Sequence, residues 1–217
     1  MAIAEPAAPA TRERNPPYPW LGPGIYVGAS APLSVILWRA ANGLLSANPI
    51  AEVMNQLGLA ALILLVACLA CTPARHVFGW TWPARIRRDL GLLAFYYAVL
   101  HVLVYLLLDQ LLAVGAIVAD IAERPFITVG FLAFVTMIPL ALTSTKRSIR
   151  RMGFARWNRL HHLVYLAGAL AIVHFIWRVK ADLTQPLIYG GVLLALFGVR
   201  LLWWLWRRST RGYRTGR

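Results

Sequence analysis

Apolar residues fall in six long runs, roughly 24–42, 57–72, 90–109, 127–143, 160–178 and 186–206, separated by short charged segments. A helix that crosses a bilayer needs about 20 predominantly apolar residues, so each run reads as one span. Pro32 and Arg39 interrupt the first run, and the second is short but extendable by its flanks. None alternates apolar and polar positions as a barrel strand does. The pattern predicts an all-α integral membrane protein, a bundle of six transmembrane helices. Its expected domains are a tail over 1–22, a membrane domain over 23–206 and a basic tail over 207–217. The opening MAIAEPAAPATRERNPPYPW lacks the apolar core of a signal peptide and is expected to be a disordered cytoplasmic tail.

Composition agrees with the pattern. Of 217 residues, 59% are hydrophobic and 14% charged, with a mean hydropathy of +0.62. A soluble domain usually carries about 25% charged residues. The net charge of +14 raises nucleic acid as a partner. The charges sit between apolar blocks rather than along one face, which argues for membrane lipid and against nucleic acid.

Charge placement also orients the chain. Arg12 and Arg14 precede span one, and Arg75, Arg85, Arg87 and Arg88 lie between spans two and three. Lys146, Arg147, Arg150, Arg151, Arg156 and Arg159 lie between spans four and five, and Arg207, Arg208, Arg211, Arg214 and Arg217 follow span six. These are 17 of the 22 basic residues. The opposite loops hold only Arg39, Arg124, Arg178 and Lys180, together with Glu52, Asp109, Asp120, Glu123 and Asp182. By the positive-inside rule both termini are expected in the cytoplasm.

Four of the five histidines lie in or at spans three and five, and His76 lies in a cytoplasmic loop. An ionisable residue inside a span is a candidate functional site, against the plainer reading of a neutral imidazole bonded to a neighbouring helix. His101 lies roughly 17 Å along span three and His174 roughly 21 Å along span five, which puts them level. Two facing imidazoles at one depth suit the axial positions of a haem iron, an arrangement that carries electrons and leaves no open coordination site. Structural zinc wants four N or S ligands, and no carboxylate lies deep enough to join the pair. Cys68 and Cys71 form a C-x-x-C spacing without a second pair, and read as small fillers near a helix end.

His161 and His162 begin span five, and in a straight helix His161 lies roughly 20 Å below His174 and about 140° around from it. Span three offers no histidine at that level, but it offers Arg87 and Arg88, poor iron ligands and good partners for carboxylate or phosphate. Three readings stay open for the inner histidines. One is a ligand of a second haem. Another is a contact to haem propionates or a flavin phosphate. The third is an interfacial hydrogen bond aided by Trp157.

The segment LALTSTKRSIRRMGFARWNRLHHLVYLAGALAIVHFIWRVK (140–180) closely resembles the MsrQ family, also called YedZ, within the ferric-reductase-like transmembrane group. ANPIAEV (47–53), CTPAR (71–75), RRDLGLLAFYYAVLHVLVY (87–105), RPFITVG (124–130) and QPLIYGG (185–191) carry it further, to about residues 25–206. The resemblance implies haem b, one or two, with His101 and His174 as axial ligands and His161 at a third haem-associated position. It implies electrons entering at the cytoplasmic side of the bacterial inner membrane, from the quinone pool or through FMN reduced by a flavin reductase. It implies delivery to MsrP, a periplasmic molybdenum-cofactor reductase of methionine sulfoxide, with which the chain pairs as a non-catalytic subunit. Haem propionate or flavin contacts are expected at Arg87, Arg88, His162, Trp157, Arg150 and Arg151. The docking surface is expected in the loops 109–125 and 178–186. Only residues 207–217 follow span six, so the donor is expected to be a separate molecule. A stand-alone ferric or quinone reductase is one alternative. A proton-coupled transporter is another, and it requires deep carboxylates or paired broken helices.

Overall fold

The computed structural model describes residues 18–179 and 181–214, the last five as backbone only. The expected disorder of residues 1–17 and the topology charges Arg12, Arg14, Lys180 and Arg217 lie outside the described residues, as do the side chains of Arg211 and Arg214. The described residues form helices joined by short turns: α1 (Leu21–Ala41), α2 (Pro49–Phe78), α3 (Pro83–Val104, continued as a π-helical turn over Tyr105–Asp109), α4 (Val114–Glu123), α5 (Pro125–Leu142), α6 (Lys146–Met152), α7 (Phe154–His161), α8 (Leu163–Arg178) and α9 (Thr184–Arg214). Six helices are long and apolar enough to cross a membrane: Leu21–Ala41, Pro49–Phe78, Pro83–Asp109, Pro125–Leu142, Phe154–Arg178 and Thr184–Ser209. The fold is the six-span all-α bundle that the apolar runs predict.

Local chemistry sets the ends. Pro49, Pro83 and Pro125 each stand in a first turn, where the missing N–H has no helical partner to lose. Asn48 caps α2 by accepting the Ala51 N–H at 3.1 Å. Gly79 ends α2 in the left-handed region, at φ 70°. These signals make α2 30 residues long, well beyond its apolar run over 57–72. At the start of α9, hydrogen bonds from the Thr184 side chain and N–H hold the exposed Asp182 carboxyl below the usual range.

Two stretches read as loops contain helices. Amphipathic α4 buries none of its side chains and is tied down through Asp120, which pairs with Arg124 at 3.2 Å and accepts from Tyr105 Oη and Gln110 Nε2. In α6 the Thr145 hydroxyl caps the Ser148 N–H at 3.0 Å. Span five is not one straight helix either. A turn at His162, with its N–H on Arg159 O at 3.2 Å, separates α7 from α8.

The core joins two helix pairs. α2 packs mainly along α3, and α5 along α8. Between the pairs, Ala94 of α3 and Ala167 of α8 are fully buried among Leu62, Leu65, Leu69, Met137 and Ile172. Small residues at such crossings let helices approach closely where lipid supplies no hydrophobic drive.

Candidate metal centre and the second cavity

His101 projects from α3 and His174 from α8, one from each helix pair. Their ring centroids lie 6.2 Å apart with the planes at 83°. His101 Nδ1 lies 2.8 Å from Met54 O on α2, and His174 Nδ1 lies 2.7 Å from Phe126 O on α5. A carbonyl can only accept, so each Nδ1 carries the proton and donates it. That leaves each Nε2 with a free lone pair, the state a metal requires, fixed by the outer-shell bond that orients metal-binding histidines generally.

Both rings line a cavity of about 470 Å³. Its wall is apolar, with Leu59, Leu62, Ala98, Phe131, Phe134 and Phe175, and its mouth is polar, with Asp109, Asp120, Arg124 and Arg178. Arg178, one turn after His174, donates to Asn55 Oδ1 across the mouth. Among the described residues no cluster of three or more His, Cys, Asp or Glu forms a metal site. The imidazoles meet as a pair. At 6.2 Å between centroids the two rings are near enough that their free Nε2 atoms could share one metal ion.

A second cavity, about 330 Å³, lies among α2, α3, α5, α6, α7, α8 and α9. It holds most of the remaining candidate residues: Arg87, Arg88, Trp157, His161 and His162 all line it. Arg150 and Arg151 do not; they stand exposed at the end of α6. His161 stacks on Trp157 at 3.9 Å, and its Nδ1 lies 3.1 Å from Trp157 O. Its Nε2 is buried without a hydrogen-bond partner. Arg88 Nε donates to Ser144 O at 2.7 Å, and Arg87 reaches Thr72 Oγ1 at 3.4 Å. Lys146 and Arg200 complete the basic lining, and no carboxylate is among the described lining residues. The space suits a molecule with an apolar body and an anionic group.

A family profile described as ferric reductase like transmembrane component matches residues 57–172, just over half of the chain. The protein-methionine-sulfoxide reductase heme-binding subunit MsrQ of Deinococcus radiodurans is 54% identical over 188 residues, covering 87% of this chain and 93% of that one. The Rhodospirillum rubrum protein of the same name is 48% identical, covering 82% and 86%. That of Bordetella pertussis is 43% identical, covering 94% and 97%. The chain belongs to the MsrQ family.

In this MsrQ the structure brings to the two cavities residues that the sequence did not single out as site candidates: Met54 and Phe126, whose carbonyls meet the two imidazoles, and Arg178, Asn55 and Arg200. Arg200 sits mid-span, donates to Leu69 O and lies 5.3 Å from the Tyr165 ring centroid. Backbone acceptors leave no trace in side-chain chemistry. Arg178 and Arg200 left a trace, since a cation inside an apolar run seeks a partner.

Proposed function

We propose that this MsrQ chain binds haem b between His101 and His174 and carries electrons across the bacterial inner membrane. The observation that carries the reading is the pair of carbonyl-anchored imidazoles 6.2 Å apart inside an apolar cavity. A haem held there by two histidines would supply a one-electron couple. His101 and His174 would hold the iron through Nε2, and the Nδ1–carbonyl bonds keep both rings in the binding tautomer. Phe131, Phe134 and Phe175 form an apolar wall, and the charges at the mouth, Arg124 and Arg178 with Asp109 and Asp120, balance one another.

Electrons enter at the second cavity. His161, with its unpartnered Nε2, is the candidate ligand of a second haem, and Arg87, Arg88, His162 and Trp157 are candidate contacts for a propionate or an FMN phosphate. Arg150 and Arg151, exposed on α6, serve the approach of an anionic donor rather than the cavity itself. The donor is the quinone pool or a reduced flavin. The acceptor is a periplasmic MsrP-like molybdenum-cofactor reductase that repairs protein methionine sulfoxide, the reaction in the names of the relatives. Both termini and the basic loops face the cytoplasm in this scheme.

The test is the oxidised and reduced visible spectrum of purified protein, for wild type, His101→Ala, His174→Ala and His161→Ala. Sharp low-spin b-type bands in wild type are expected, lost in the first two variants. A fall in the haem-to-protein ratio of His161→Ala alone would count the second haem. Colourless wild type from haem-supplied cells would overturn the proposal.

A further inference from the structure

We infer that Gly58 and Gly130 are positioning residues for the two haem ligands, each keeping a helix carbonyl open to an imidazole N–H. The inference rests on the haem reading above.

The argument begins with helix geometry. In a helix the carbonyl of residue i accepts the N–H of residue i+4 and keeps one lone pair free. A side chain at i+4 leans toward the N-terminus and covers the turn that holds that carbonyl. An imidazole brought to that spare lone pair is crowded by a side chain at residue i+4 that points at it. His101 bonds Met54 O, and the residue four later is Gly58. His174 bonds Phe126 O, and the residue four later is Gly130. The same arrangement occurs twice, once in each helix pair.

Distances show how little room there is. A Cβ on Gly58 would stand 3.0 Å from His101 Nδ1 and 3.2 Å from its Cε1. On Gly130 it would stand 2.6 Å from His174 Nδ1 and 2.8 Å from its Cε1. Other glycines within the spans differ: at Gly168 and Gly190 the nearest atom is 3.4 Å away, and at Gly28 nothing lies within 4 Å. Among the described glycines, the two tightest positions are the two that face the histidines. Neither needs glycine for its backbone, since the positive-φ glycines are Gly43, Gly79 and Gly153. The missing Cβ is what matters.

A methyl group at either position pushes the ring off its carbonyl. The ring then loses the bond that fixes its tautomer and strengthens it as a ligand. Removing outer-shell partners of this kind typically costs about 10–100-fold in metal affinity. The tighter contact makes Gly130→Ala the more damaging of the two.

The experiment compares wild type, Gly58→Ala, Gly130→Ala and the control Gly168→Ala, each purified in detergent from haem-supplied cells. The measurements are haem-to-protein ratio, spin state by visible and electron paramagnetic resonance spectra, and midpoint potential. Gly130→Ala is expected to lose at least tenfold in haem affinity, to show a high-spin fraction, and to raise the potential of the haem it keeps. Gly58→Ala is expected to show the same changes more weakly, and Gly168→Ala none. Wild-type helix content and a monodisperse gel-filtration profile are expected for Gly130→Ala, which a misfolded chain would not give. If Gly130→Ala does not accumulate, Gly58→Ala decides by the same measurements. Low-spin haem at wild-type affinity and potential in both alanine variants would overturn the inference and leave the haem reading standing. Equal loss in Gly168→Ala would also overturn it. Wild type without haem would overturn the haem reading itself.

Discussion

The Tyr97 hydroxyl donates to Ala29 O and accepts the Leu33 N–H at 3.3 Å, on either side of Pro32 in α1. Ala29 and Leu33 are the pair that closes one helical turn, so the hydroxyl inserts where proline disturbs the ladder. Tyr97 is 5% exposed, and without its oxygen the Ala29 carbonyl and the Leu33 N–H would each lose a partner. Tyr97→Phe is expected to destabilise by about 1–3 kcal/mol, read as a lower thermal midpoint in detergent. An unchanged midpoint would contradict this. At this scale the sequence pointed to His101 and His174, because imidazoles inside apolar runs are conspicuous. It could not point to Met54 O or Phe126 O, since every residue has a carbonyl and only packing decides which one a ring meets.

At the scale of elements, small residues let the helix pairs meet. Ala94 and Ala167 are 0% exposed, and Gly168 lies against Leu69 and Leu193. Ala167→Leu is expected to cost about 1–3 kcal/mol by overpacking the crossing, measured as faster thermal aggregation and a lower unfolding midpoint than Ala169→Leu, which faces outward. Equal behaviour of the two would count against the crossing as described. The six spans were legible because each exceeds the length of a soluble core helix in apolar content. Helices α4 and α6 were not, since 10 and 7 residues give too few turns for a periodic signal. The break at His162 was hidden as well, because nothing in WNRLHHLVYL is a helix breaker.

For the whole molecule, the proposed route runs from the basic end to the end bearing Asp109, Asp120 and Arg178. It depends on orientation, which charge bias sets. A C-terminal green fluorescent protein fusion is expected to fluoresce and a C-terminal alkaline phosphatase fusion to be inactive. The opposite pair of results would reverse the route. The second cavity opens among Arg87, Arg88, Lys146 and Arg200 and so presents positive charge to an anionic donor.

The sequence alone determined that the chain crosses a membrane six times, and which histidines lie deep, because hydropathy and charge act residue by residue along the chain. Which helices pair, how far apart the two imidazoles stand, which carbonyls hold them and which glycines make room were decided only in three dimensions. Those quantities are contacts between α2 and α3, between α5 and α8, and between the pairs, and they join residues such as Met54 and His101 that lie 47 positions apart. No local pattern records a distance of that kind.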